Sequence, residues 1–206
     1  MASTAEPGGA ASDVLATNVA AAKATFDRLA PLAGLLGQAA AVVAASLTSG
    51  GKLLTCGNGG SAGDAMHMAS EFVCRFDGDR PPFAAMCMNA SGGDLTAIGN
   101  DYTFEDVFAR QVQAFGRPGD VLVAFTSSGN SRNVLRAVEA ARAIGVRSVA
   151  FLGKDGGFTR GVADVELLVP GTVTARVQEG QKLLLHTLCE LVEPALRAAA
   201  AARGRA

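Results

Sequence analysis

The 206-residue chain predicts an α/β fold: a doubly wound, five-stranded parallel sheet of the flavodoxin-like kind, with an N-terminal helical arm and a long C-terminal helix. Three observations point there. Five short apolar runs, "KLLTC", "FAAMCM", "DVLVAFT", "RSVAFLG" and "DVELLVP", alternate with helical stretches. Strands that alternate with helices and read as unbroken apolar runs belong to parallel sheets covered on both faces. The chain is 49% hydrophobic and 18% charged, enough apolar material for such a two-sided core. Glycine- and serine-rich loops follow the first and third runs. In open α/β sheets, ligands sit beyond the carboxyl ends of the strands.

The elements follow in order. Residues 1–12, "MASTAEPGGAAS", read as a loose tail with no basic segment or apolar core of a secretory signal. Ser12 and Asp13 are helix-start residues. After them Leu15, Val19, Ala22, Phe26 and Leu29 form a narrow apolar seam of the helix-on-helix type. Helices at 13–30 and 32–49 precede the first strand, free to pack on another copy of the chain. Leu29 to Leu47 is long and weakly apolar, but Pro31, Gln38 and two glycines make it a packed helix rather than a membrane span. Between the strands lie helices at 61–75, 94–99 with 103–115, 130–144 and 158–163. A final helix covers 177–202, and residues 13–202 form one domain with no internal repeat or linker.

Composition narrows the partners. Eighteen basic residues face nineteen acidic ones, without a basic stripe, and there is no Trp and one Tyr. That speaks against nucleic acid. Cys56, Cys74, Cys87 and Cys189 show no CxxC spacing and read as small buried thiols in a reducing compartment, which places the protein in the cytoplasm.

Two loops and one helix carry the chemistry. "GNGGS" at 57–61 lets the backbone turn tightly and lets a polar ligand approach peptide N–H groups at a helix start. A dinucleotide would want an acidic residue at the end of the second strand, and Asn89 stands there instead. "TSSGNS" at 126–131 puts four hydroxyls within six residues, from Thr126, Ser127, Ser128 and Ser131. With Gly129 and the next helix N-terminus they make a cup suited to a phosphate monoester, or else an ordinary serine-rich turn. His67 and Glu71 stand at i and i+4, so they share a helix face and can hold a metal, pass a proton or simply form a stabilising pair.

The stretches "GNGGSAGDAMHMASEF", "TAIGNDY", "TSSGNS", "GKDGG" and "RVQEGQKLLLH" together resemble the SIS (sugar isomerase) domain, and within it the phosphoheptose isomerase family, over residues 14–196. The resemblance implies an aldose–ketose isomerase that converts sedoheptulose 7-phosphate to D-glycero-D-manno-heptose 7-phosphate through an enediol. It implies a homotetramer with active sites between subunits, and one zinc per site. By position, Asn58, Gly59 and Gly60 would contact sugar; Asn100 and Asp101 would line the pocket; Thr126, Ser127, Ser128 and Ser131 would hold phosphate. His67, Glu71, Gln178 and His186 would form the zinc site, with Glu71 as base, His186 as acid and Gln178 also touching substrate.

Gln178 and His186 are eight residues apart, about 12 Å along a straight helix. Either Gln178 lies in an irregular lead-in to that helix or ligands come from different subunits. Gln181 stands where the family commonly has histidine, Ala175 where some members have aspartate, and "NASGGD" at 89–94 replaces a loop often richer in Ser, Thr and Asp. These departures leave room for a related isomerase of another sugar phosphate, an eight-carbon one for example. A non-catalytic SIS module that binds a sugar phosphate or a protein is the alternative of another class. The presence of both Glu71 and His186 favours an enzyme.

Overall fold

In the computed structural model, which describes residues 7–203, helix α1 spans Pro7–Phe26, and a 3-10 turn at Ala30–Leu32 leads into α2 at Ala33–Thr48. Then come β1 (Leu53–Gly57), α3 (Gly60–Val73), β2 (Ala85–Cys87), α4 (Gly92–Asp101), a 3-10 turn at Phe104–Asp106, and α5 (Ala109–Phe115). The chain continues through β3 (Val121–Thr126), α6 (Arg132–Ala143), β4 (Arg147–Gly153), a 3-10 turn at Gly157–Thr159, β5 (Val165–Val169) and α7 (Thr174–Arg203).

The five expected strands form one parallel sheet in the order β2-β1-β3-β4-β5. Side chains alternate across it, because successive residues of a strand point to opposite faces. Leu53, Val121, Val123, Phe125, Val149 and Phe151 pack under α2, α3 and α7. Leu54, Cys56, Leu122 and Ala124 pack under α5 and α6. The sheet is therefore wound on both sides, as its apolar runs require. The chain reverses its direction of growth between β1 and β3, and a crevice opens beyond the carboxyl ends of those strands.

Several boundaries differ from expectation. Helix α1 begins at Pro7, so residues 7–12 of the expected tail are helical. Proline suits a helix start, since its missing N–H is not needed there. Residues 1–6, the rest of that tail, and 204–206 lie outside the described residues. The run "FAAMCM" pairs over only three residues, because β2 is an edge strand. Phe83 instead packs into the core, its N–H donating to the carbonyl of Phe72 at 3.1 Å. The stretch 103–115 splits into a 3-10 turn and α5, and 158–163 reduces to a single turn. Cys56, Cys87 and Cys189 are buried as expected, but Cys74 is exposed at the C-terminus of α3. Burial pushes the Cys56 thiol far up and the Cys189 thiol up to about 12, so both stay protonated and inert.

By length and composition, Gly9–Thr48 is apolar enough to cross a membrane. In the fold it is two helices separated by the turn at Ala30–Leu32. Leu36, Ala39, Val43 and Leu47 of α2 are part of the core.

Candidate active site

The crevice is built first by asparagines. Asn89, just after β2, clamps the end of β1: its Nδ2 donates to the Gly57 carbonyl at 2.8 Å, and its Oδ1 accepts from Gly57 N at 3.2 Å. Asn58 and Asn133 exchange amide hydrogen bonds at 2.8 and 2.9 Å. That pair ties the glycine loop to the first turn of α6, and so to the serine loop before it. Sequence marks Asn89 only as the residue standing where a dinucleotide site would want an acid, and does not mark Asn133 at all; the clamp and the bridge appear only when the sheet brings their partners close.

The serine loop is braced from within. Thr126 is buried, and its Oγ1 accepts from Gly129 N at 3.1 Å and donates to Ser131 Oγ at 3.3 Å. Ser128 Oγ accepts from Asn130 N at 3.1 Å. Gly129 has φ +68°, and a Cβ there would lie 1.9 Å from the Gly156 carbonyl, so the turn requires glycine. Ser127, Ser128 and Ser131 remain partly open at the N-terminus of α6, where peptide N–H groups and the helix dipole favour an anion.

Helices α3 and α7 run parallel, and their contacts form a ladder. At its foot, Gln178 lies over Gly60, where a Cβ would come 2.4 Å from Gln178 Nε2. One turn on, Lys182 Nζ pairs with Asp64 Oδ1 at 2.7 Å and reaches His67 Nδ1 at 3.0 Å. On the next turn, His186 Nε2 is 3.4 Å from His67 Nε2, and His67 Nε2 is 2.7 Å from Glu71 Oε1. Beyond them Arg80 is buried: its guanidinium donates to the carbonyls of Glu71 (2.8 Å) and Phe72 (3.1 Å) and to both carboxylate oxygens of Glu193 on α7 (3.0 and 3.1 Å). Arg80 thus caps the C-terminus of α3 and locks the turn that carries Glu71 onto α7.

Charge in this cluster is set by its neighbours. Burial, then His67 and the Lys182 ammonium, hold the His186 imidazole below the ordinary histidine range, against Glu71 and Asp64. His186 is therefore neutral at neutral pH, with one ring N–H to donate and one lone pair to offer.

His67, Glu71 and His186, from helices far apart in sequence, are brought together. Gln178 is not: it lies inside the regular part of α7, two turns from His186, so the irregular lead-in is excluded. Asn100 and Asp101 sit exposed at the end of α4, bonded to each other at 2.8 Å, and no contact among the described residues links them to Glu71. Of the departures, Gln181 faces the core, donating to the Phe151 carbonyl at 3.0 Å, while Ala175 lines a cavity of about 360 Å³ with Gly60, Asp64, Gln178, Glu179 and Lys182.

The trio supplies two imidazoles and a carboxylate, the donor types of a catalytic zinc site with one position left open. The 3.4 Å between the two imidazole nitrogens matches the edge of a tetrahedron with metal–nitrogen bonds of about 2.0–2.1 Å. The 2.7 Å between His67 and Glu71 is a hydrogen-bond distance that a metal would have to open. Among the described residues no group of three or more His, Cys, Asp or Glu side chains already surrounds a metal position. The residue types fit; their spacing is that of the hydrogen-bonded form.

Residues 18–153 match the SIS domain family. The phosphoheptose isomerase of Rhodospirillum rubrum is 49% identical over 171 residues, 83% of this chain and 91% of that protein. That of Alteromonas mediterranea is 46% identical over 162 residues, 77% and 82%. The phosphoheptose isomerase structure from Neisseria gonorrhoeae superposes with a TM-score of 0.83 at 39% identity, covering 89% of this chain and 98% of that one. The Francisella tularensis phosphoheptose isomerase gives 0.81 at 34% identity, covering 90% and 97%.

Proposed function

The chain belongs to the phosphoheptose isomerase family of SIS-domain proteins, and from that premise we propose that it converts sedoheptulose 7-phosphate to D-glycero-D-manno-heptose 7-phosphate through an enediol. The observation that carries this is the junction of Glu71 with His67 and His186 across two helices 119 residues apart. Isomerisation needs a base near two adjacent carbons and a proton donor near their oxygens. Glu71 takes the proton from C1 and returns it at C2. The His186 imidazole hands a proton to the C2 oxygen as the enediol forms, and takes back the proton of the C1 hydroxyl as the aldehyde appears. The serine loop holds the phosphate far from the reacting carbons, so binding there orients the sugar without touching the chemistry.

We further propose that the site is completed by a second copy of the chain. Glu71 lies eleven residues along α3 from Gly60, about 16 Å at helical rise. An extended seven-carbon sugar phosphate spans about 10 Å from C1 to phosphorus at bond lengths near 1.5 Å. The helical rise from the glycine loop, which Asn58 ties to α6, to Glu71 exceeds the substrate's length, and this favours a serine loop and a carboxylate drawn from different copies. We therefore propose a homotetramer in which the phosphate loop of one copy faces the Glu71 cluster of another. Exposed apolar residues support this reading: Met66 and Val73 on α3 and Leu183 and Leu191 on α7 share the helices of the cluster, and Val14, Leu15 and Val19 are exposed on α1. A partner would also bring Asn58, Gly59, Asn100, Asp101 and Gln178 to the sugar.

His67, Glu71 and His186 would hold zinc, with Gln178 joining from another copy. Such a metal polarises a carbonyl and stabilises its developing oxyanion. Four free thiols among the described residues suit a reducing cytoplasm. Incubation of the purified protein with sedoheptulose 7-phosphate, followed by NMR, should show aldose signals growing at the ketose's expense. A ketose that stays unchanged in the fully assembled, zinc-supplied protein would overturn the assignment.

A further inference from the structure

We propose that Lys182, anchored on Asp64, sets the tautomer of His67 and thereby weakens this site's hold on a divalent metal. The inference rests on the zinc-binding trio named above but concerns two residues outside it. An ammonium has three donors and no lone pair. At 3.0 Å from His67 Nδ1, Lys182 can only donate to it, so Nδ1 carries the lone pair and Nε2 carries the proton. The Nε2–H then donates to Glu71 Oε1 at 2.7 Å, which agrees with the short distance found. Asp64, nearly buried on the turn before His67, holds the ammonium in place at 2.7 Å.

Metal binding needs the opposite arrangement. His67 Nε2 is the nitrogen that faces His186 and Glu71, so it is the one that must give its lone pair. Its proton has to leave or move to Nδ1, and the Lys182 bond to Nδ1 must break first. A metal-ligating histidine ordinarily donates its other ring N–H to a carboxylate, carbonyl or water, which raises its basicity. Here a cation occupies that position and does the reverse. The positive charge also stands one imidazole away from an incoming dication. Lys182 thus keeps the trio in its hydrogen-bonded, proton-holding form until metal is plentiful enough to displace it.

The test is zinc titration of the metal-free protein against a chromophoric chelator, with no substrate present. Lys182→Met should bind zinc about tenfold tighter or more, the scale on which outer partners change metal affinity. Lys182→Met leaves Asp64 nearly buried and unpaired, so Lys182→Met/Asp64→Asn, which removes both charges, is titrated beside it and should also tighten. Nitrogen-15 shifts of His67 in the metal-free wild type should show the proton on Nε2. Zinc affinity unchanged or weaker in the folded variants, or a proton found on Nδ1 in the wild type, would overturn the proposal. Neither result depends on turnover, so each is distinguishable from failure of the isomerase assignment.

Discussion

Glu71 is the proposed base, and its surroundings say what a substitution should do. Glu71→Gln keeps the shape and leaves an amide oxygen to accept from His67, so the helix pair should stay folded. It removes the only feature a base needs, a carboxylate that accepts the carbon-bound proton. Turnover of sedoheptulose 7-phosphate should fall by about 10²–10⁴, the usual worth of general base catalysis, while calorimetric affinity for a phosphorylated ligand changes less than about threefold. A variant with near-normal kcat would exclude Glu71 as the base. His67 and Glu71 are legible in sequence because they are close along one helix. Lys182 and Asp64 are not, because their meaning comes only from the facing helix.

Among the elements, α3 and α7 depend on Arg80. Its side chain is 2% exposed and Glu193's is 8%, so Arg80→Leu leaves a carboxylate nearly buried. Breaking a buried pair on one side costs about 3–5 kcal/mol, and the lower end is expected because Arg197 still reaches Glu193 at 3.3 Å. Removing both charges in Arg80→Leu/Glu193→Leu should recover most of that loss in urea unfolding. A double variant no more stable than the single one would show that the clamp on the Glu71 and Phe72 carbonyls matters more than the charge pair. A second staple joins β4 to β5. Burial raises the Asp164 carboxyl, but bonds from Ser148 N (2.7 Å) and Ser148 Oγ (3.0 Å), with Arg147 and Arg142 nearby, outweigh it and hold the carboxyl below the ordinary range. A carboxyl lowered in the folded state binds fewer protons than in the unfolded chain, so stability rises with pH in that window. Its contribution is complete above about pH 5 and is lost as pH falls through the ordinary carboxylate value near 4 and below. Asp164→Asn should therefore lose stability at pH 7 and show a flatter acid limb; parallel limbs in both proteins would refute the staple.

For the whole molecule, the decisive number is the length of α3. Glu71 stands about 16 Å along α3 from Gly60, so the shared site proposed above makes activity depend on assembly. Leu15 and Val19 are 65% and 49% exposed on α1, and neither belongs to the proposed catalytic or binding set. Leu15→Asp/Val19→Asp should lower the mass seen by light scattering and reduce kcat about a hundredfold or more, since separated halves of a site lose their effective concentration. Full activity from a monomeric variant would show that one chain suffices.

The sequence by itself determined the parallel sheet, its five strands, the two ligand loops and the His67–Glu71 pair. Those features are local: unbroken apolar runs, glycine and hydroxyl spacing, and one helical turn. Only the tertiary structure decided that α3 and α7 run parallel, that Gln178 lies in the regular part of α7 rather than in a lead-in, and that Lys182 faces Asp64 and His67. It also revealed the Asn58–Asn133 bridge and the Arg80 clamp. Periodicity tells which face of a helix is buried but not which helix it meets, because that choice is made by sheet order and packing over the whole chain.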